Sequence, residues 1–287
     1  MNPQAKYEHL LEGLAQLDSV LVAYSGGVDS TLLAFAAHAV LGQRCMAVLA
    51  TSDTYPESEV LQARELAGSL GFSLLEVETF ELADPRFAAN TSERCYYCKG
   101  ELFSLLARVA DVNGLSVVAD GSNVDDTADF RPGSRAKSEY GVVSPLQDAG
   151  MTKDDIRTVA RELGLPNWNK PAMACLASRF PYGEAITEES LARVAHAESA
   201  LLGLGLNQFR VRAHGDVARL EVAPHEQEQA WRMRESISSS LRAAGFTWVA
   251  QDLDGYRMGA LNEALPTPPD HLASADGSAS ESPGSDQ

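Results

Sequence analysis

Apolar positions recur along this chain with two different periods. Tyr7, Leu10, Leu11, Leu14 and Leu17 fall at helical spacing over residues 5–17, and Ser19-Val20-Leu21-Val22-Ala23-Tyr24 then runs as an almost continuous apolar stretch. A short run of that kind reads as a strand buried on both faces. After a turn at Ser25 to Ser30, Thr31 to Val40 continues as an apolar helix. The alternation repeats, with strands at Cys45 to Ala50, Phe72 to Val77 and Leu115 to Ala119, and helices from near Pro56 and over Leu102 to Val109. Glu57 and Glu59 sit in the first turn after Pro56, where the helix field favours acids. Strands alternating with helices in this way predict an open α/β fold with a parallel sheet.

From Asp120 to Ser144 the pattern loosens, with Gly, Asp, Arg, Pro and Asn dense. One helix interrupts the irregular stretch up to 183: Thr152 is its N-cap, Ile156, Val159, Ala160 and Leu163 its apolar stripe, and Gly164 its C-cap. A smaller α+β unit begins near Thr187, which precedes Leu191, Val194, Ala197, Leu201 and Leu202 at helical spacing. Phe209 to His214 and Ala218 to Val222 read as two strands joined at Gly215-Asp216, a hairpin signal. A helix over Glu226 to Ala244 and a strand at Phe246 to Val249 complete it. The expected division is residues 1–184, 185–265 and an aperiodic acidic tail, 266–287, read as disordered.

A chain of 287 residues can bury two cores of this kind. The formal charge of −17 argues against a partner held by its phosphate backbone, so nucleic acid is not expected. The N-terminus lacks the order of a signal peptide, and no apolar run approaches the roughly 18 residues needed to span a bilayer. A cytoplasmic protein without membrane contact, assembling as a homo-oligomer, is expected. Four cysteines, Cys45, Cys95, Cys98 and Cys175, are too few and too unevenly spaced for a disulfide framework.

Ser25-Gly26-Gly27-Val28-Asp29-Ser30 lies just beyond the first strand and before a helix, where open α/β sheets bind ligands. Its glycines let consecutive N–H groups approach a phosphate, Ser25 and Ser30 add hydroxyls, and Asp29 suits Mg²⁺. No Lys follows the glycines, and the spacing of a dinucleotide loop is absent. The motif resembles the signature of the PP-loop ATP pyrophosphatases, which adenylate an oxygen of a second substrate and release pyrophosphate. Gly121-Ser122-Asn123-Val124-Asp125-Asp126 follows the fourth strand in the same way, and the resemblance implies that Gly121, Asn123 and Asp125 border the ATP site.

Cys95-Tyr96-Tyr97-Cys98 is a C-x-x-C unit flanked by Arg94 and Lys99. By itself it is compatible with structural cysteines, a redox dithiol, zinc or an iron–sulfur cluster. Cys175, four residues before Arg179, lies in a stretch rich in Pro and polar punctuation and is a candidate third ligand. Arg179 is placed to hold an acyl phosphate or offset a thiolate. Cys45, inside a strand, is assigned to the core. Arg210 and Arg212 share one side of a strand and suit a substrate phosphate, with Asp252, Asp254 and Arg257 in a nearby loop.

The loop at 25–30, the segment Arg94 to Lys99 and above all Pro171 to Gly183 resemble the ATP-dependent sulfur-transfer enzymes of nickel-pincer nucleotide synthesis, over residues 1 to about 265. That resemblance implies adenylation of carboxylates on a pyridinium mononucleotide and their conversion to thiocarboxylates. It further implies a [4Fe–4S] cluster on Cys95, Cys98 and Cys175 that carries sulfur from a sulfide or other donor and turns over catalytically. Rival readings are a tRNA-thiolating enzyme of the same superfamily and an amide-forming ligase of the asparagine or NAD synthase kind.

Overall fold

The computed structural model describes residues 1–128, 133–171, 174–257 and 259–264, so the expected tail lies outside the described residues. The first sheet contains β1 (Val20–Tyr24), β2 (Cys45–Thr51), β3 (Leu74–Glu78) and β4 (Val117–Ala119), all parallel in the order β3-β2-β1-β4. Residues of β1 alternate between two cores, as strand geometry requires. Val20, Val22 and Tyr24 face α1 (Pro3–Ala15) and α2 (Val28–Leu41), while Leu21 packs with Leu102, Phe103 and Leu106 of α5 (Arg94–Val112). The remaining elements of this part are α3 (Glu57–Leu70), a single turn α4 (Pro85–Ala88), α6 (Gly133–Glu139), α7 (Pro145–Asp148) and α8 (Lys153–Glu162). This is the parallel α/β architecture that the apolar pattern predicts.

The start of α1 is set by Asn2, whose side chain accepts the Ala5 N–H at 2.8 Å, and by Pro3 at the first helical position. The α8 N-terminus is a full capping box between Thr152 and Asp155. By contrast, α5 begins at Arg94, eight residues before the apolar stripe suggested. The helix runs through Gly100, so Cys95 and Cys98 are helical.

The second sheet pairs β5 (Phe209–His214) antiparallel with β6 (Val217–Val222), and β6 parallel with β7 (Trp248–Gln251). It packs on α9 (Glu188–Gly203), capped by Thr187, and on α10 (Gln227–Arg232) and α11 (Arg234–Ala243). The single helix expected over 226–244 is thus divided at Met233. Phe87, Leu176, Ala177 and Phe180 join this second core, so the loop carrying Cys175 is anchored there and not in the first sheet. Among the described residues no helix is long and apolar enough to cross a membrane.

Candidate active site

The turn after β1 is shaped by backbone constraints. Gly26 has φ +72°, and a Cβ there would lie 2.6 Å from Ala63 Cβ, so α3 sits directly against the turn. Tyr24 fixes that contact by donating its hydroxyl to the Ala63 carbonyl at 3.0 Å. Ser30 Oγ accepts the Ser25 N–H and lies 3.1 Å from Ser25 Oγ, closing the six-residue loop on itself. Gly27 is the α2 N-cap and supplies no side-chain cap, so the first N–H groups of α2 are left without one, while Val28 at the first position is buried in the first core. Gly121 presses on this turn from β4: a Cβ there would stand 2.9 Å from Ser30 N.

Two residues without a sequence-based role complete the corner. Asn167 donates its amide to the Gly26 carbonyl and to Thr31 Oγ1, both at 3.0 Å. Lys153 hydrogen-bonds Asp29 through its ammonium, and its backbone N–H donates to Asp125 Oδ2 at 2.8 Å. The other Asp29 oxygen, Oδ1, is buried without a hydrogen-bond partner. A Lys at the first position of a helix opposes the helix field, and that misplacement is the sequence signal that marks Lys153. Asn123 is buried and uses its side chain to accept the Asp125 N–H at 2.9 Å, so it shapes the loop that presents Asp125.

A second cluster of side chains forms where three segments meet. Arg94, buried at the start of α5, donates to Asn90 Oδ1 and, at 2.8 Å, to the Ala177 carbonyl. Leu176 N–H donates to the Thr54 carbonyl at 2.8 Å, tying the cysteine loop to the β2–α3 turn. Cys98 donates its thiol to Glu81 Oε1 at 3.8 Å. Burial, followed by the Glu81 carboxylate and the Cys175 sulfur, pushes the Cys98 thiol well above its ordinary range. Tyr55 is raised well above its own by burial and then by Cys98, Cys175 and Glu81. Tyr55 and Glu81 were not marked by any motif; neither a tyrosine before a helix nor an acid after a strand is unusual enough to be seen in sequence.

The three cysteines thus share a neighbourhood, but the expected [4Fe–4S] centre is overturned. Among the described residues no group of three or more His, Cys, Asp or Glu side chains could hold a metal ion. Cys95 is exposed and Cys98 directs its thiol to Glu81, so the cysteines are not gathered as ligands of one centre. The iron–sulfur, nickel-pincer type with catalytic turnover on a cluster falls with it. Cys45 is buried as expected, and burial pushes its thiol up to about 12.

The arginines singled out in the sequence meet in one buried layer. Arg179 is fully buried and forms a bidentate pair with Glu198, both bonds 2.8 Å, while donating to the Ala174 and Cys175 carbonyls at 2.9 and 3.3 Å. Arg212 donates to Glu221 and to the Ser178 carbonyl, both at 2.7 Å. Arg210 lies 4.9 Å from the Tyr256 ring centre, and burial, then the neighbouring Arg179 charge, lowers its pKa. Arg257 is exposed and paired with Glu263 and Asp254, away from this layer's buried carboxylates.

Comparison with known proteins gives three kinds of match. Residues 11–96 match the NAD synthase family. An uncharacterized protein of Synechocystis sp. is 44% identical over 265 residues, covering 91% of this chain and 98% of that one. The pyridinium-3,5-bisthiocarboxylic acid mononucleotide synthase of Lactiplantibacillus plantarum is 39% identical over 257 residues, covering 89% and 93%. One chain of the glutamine-hydrolyzing GMP synthase of Archaeoglobus fulgidus is 28% identical over 157 residues, 51% of each chain.

Proposed function

The chain belongs to the PP-loop ATP pyrophosphatase superfamily, in the family of the pyridinium-3,5-bisthiocarboxylic acid mononucleotide synthase, and on that premise we propose that it is an ATP-dependent sulfur transferase acting on carboxylates of a pyridinium mononucleotide. The observation that carries this reading is the link between the nucleotide loop and the cysteine loop: α3, whose Ala63 packs against Gly26, follows directly on the turn whose Thr54 carbonyl accepts the Leu176 N–H.

In this reading the α2 N–H groups, Ser25 and Ser30 bind the ATP phosphates. The unpartnered Asp29 oxygen fits a hard cation, and Asp29 would hold Mg²⁺, which offsets charge on the leaving pyrophosphate. Lys153 exchanges its contact with Asp29 for one with a phosphate oxygen. A substrate carboxylate oxygen attacks the α-phosphorus, forming the P–O bond of an acyl-adenylate as the bond to pyrophosphate breaks. Sulfide from the donor, held beside Cys175, then attacks the acyl carbon, forming the C–S bond as AMP leaves with the former carboxylate oxygen. Arg179 positions Cys175 by holding its carbonyl. From the smaller unit, residues 185–265, we assign Arg210, beside the Arg179 charge, to the substrate phosphate, while Arg212, held by Glu221, serves the structure of that layer.

The test supplies the purified chain with ATP, Mg²⁺, pyridinium-3,5-biscarboxylic acid mononucleotide and a sulfide donor. AMP and pyrophosphate should form in equal amounts, together with a product in which sulfur replaces a carboxylate oxygen. Cys175→Ala should retain pyrophosphate release and lose the sulfur product. An amide formed with ammonia, and no thiocarboxylate with sulfide, replaces this reading with that of an amide-forming ligase.

A further inference from the structure

Among the described residues the positions with positive φ are glycines, with one exception: Asn90, at φ +51° and fully buried. An asparagine tolerates this left-handed conformation, but a glycine meets it more easily, so the backbone alone does not account for the side chain. Every polar group of Asn90 is used. Its N–H donates to the Phe87 carbonyl and its own carbonyl accepts the Gly183 N–H, both at 2.9 Å. Its amide donates to the Pro181 carbonyl at 2.7 Å and the Glu184 carbonyl at 3.0 Å, and its Oδ1 accepts from Nη1 of Arg94. Arg94 is itself buried, and the same Nη1 donates to the Ala177 carbonyl. Both of those acceptors are neutral, whereas Arg179 and Arg212 are held by carboxylates, so the aim of Arg94 depends on an amide oxygen.

We propose that Asn90 is a positioning residue for sulfur transfer, acting through Arg94 on the turn that carries Cys175. The inference rests on the sulfur-transfer reading above. Cys175 is the N-cap of the short 3-10 turn Leu176–Arg179. That turn is tied on one side to Thr54, by the Leu176 N–H, and on the other to α5, by Arg94 through Ala177. Asn90 joins the second tie to residues 181–184, which lead into the unit bearing Arg210. The Tyr182 ring of that segment lies 5.1 Å from the Arg94 guanidinium, so the segment and the turn converge on one cation. A single buried amide thus sets Cys175 against the unit assigned to the substrate phosphate. Attack on an acyl carbon needs the reacting atoms held about 3–3.5 Å apart. Adenylation uses the Ser25 to Ser30 loop, whose hydrogen bonds do not involve Asn90, so the two half-reactions should separate when Asn90 is changed.

The test compares full-length wild type, Asn90→Gly and Asn90→Asp, each supplied with ATP, Mg²⁺, pyridinium-3,5-biscarboxylic acid mononucleotide and a sulfide donor. Glycine keeps the backbone conformation and removes only the side chain. Aspartate keeps an acceptor for Arg94 and loses both amide donors. In Asn90→Gly, pyrophosphate released in the first turnover should stay within about twofold of wild type while thiocarboxylate forms about 10²-fold more slowly, the scale of a misplacement of about 1 Å. Asn90→Asp should recover about tenfold of that loss, because a charged acceptor holds a guanidinium at least as firmly as an amide does. Hydrogen exchange over residues 174–184 should quicken in Asn90→Gly and stay as in wild type over α8. Such a split, with recovery by aspartate, is not what a general loss of stability produces. An equal loss of both half-reactions, undiminished sulfur transfer in Asn90→Gly, an Asn90→Asp variant no faster than Asn90→Gly, or unchanged exchange over 174–184 each overturns the proposal. Any of these beside an active wild type overturns the role of Asn90 alone. Wild type that releases pyrophosphate yet forms no thiocarboxylate overturns the function reading and the positioning role together.

Discussion

The arginine layer of the second sheet and the turn after β1 handle charge in opposite ways. In the layer, Glu198 and Glu221 take guanidinium groups on both oxygens or on one oxygen each from two arginines, with Arg179 fully buried. At the turn, Asp29 is paired on one side only, to Lys153, and keeps the other oxygen buried and unpartnered. Saturated charge serves structure, because a buried ion is tolerated when every lone pair is used. An unsaturated buried oxygen carries a desolvation cost until a partner completes it. Glu81 stands with the turn in this respect, although it lies beside Cys98.

The comparison is broken most directly at Arg179. Arg179→Ala leaves Glu198 buried without its cation and releases the Ala174 and Cys175 carbonyls, so unfolding in urea should show a loss of about 3–5 kcal/mol. A loss below about 1 kcal/mol, the range of an exposed pair, would mean that the layer is not structural. Asp29→Ala should do the reverse, lowering ATP-dependent pyrophosphate release about 10²-fold with the urea midpoint unmoved. If stability fell along with the rate, the turn would belong with the structural charges.

The smallest effect concerns the cap that aims Lys153. Burial works against the Asp155 carboxylate, but the Lys6 ammonium and the Thr152 N–H and hydroxyl outweigh it and hold it down at about 2, against an ordinary 3.8. Its folded pKa lies below the unfolded one, so the stabilisation is complete above the unfolded value and is lost as pH falls through the folded one. Asp155→Asn should therefore cost about 1 kcal/mol near neutral pH and nothing in strong acid. Paired melts at about pH 7 and about pH 2 decide it: an equal difference at both would remove the carboxylate's charge from the argument.

Much of the fold was legible without coordinates, because periodicity and capping are written in adjacent residues. The four strands of the first sheet, the capped α8 and the β5–β6 hairpin all follow from local patterns, with boundaries shifted by one or two residues in most cases. The Ser25 to Ser30 turn was equally readable, since Gly26 is required by its own backbone conformation. The start of α5 was not, because its apolar stripe begins only at Leu102, and the cluster implied by the resemblance met a helix on which Cys95 is exposed and Cys98 faces Glu81.

What the sequence by itself determined, then, is where the chain turns and which faces are apolar. Which charges find each other was decided only by the tertiary structure. Lys153 and Asp29 are 124 residues apart, and Cys98 and Glu81 come from different elements. Arg179 and Arg212 read as ligand-binding forks in sequence, yet folding brings Glu198 and Glu221 to them inside the second core. The physical reason is that spacing along the chain encodes direction and period, whereas the strength of a charge depends on burial and on partners that only the packed fold assembles.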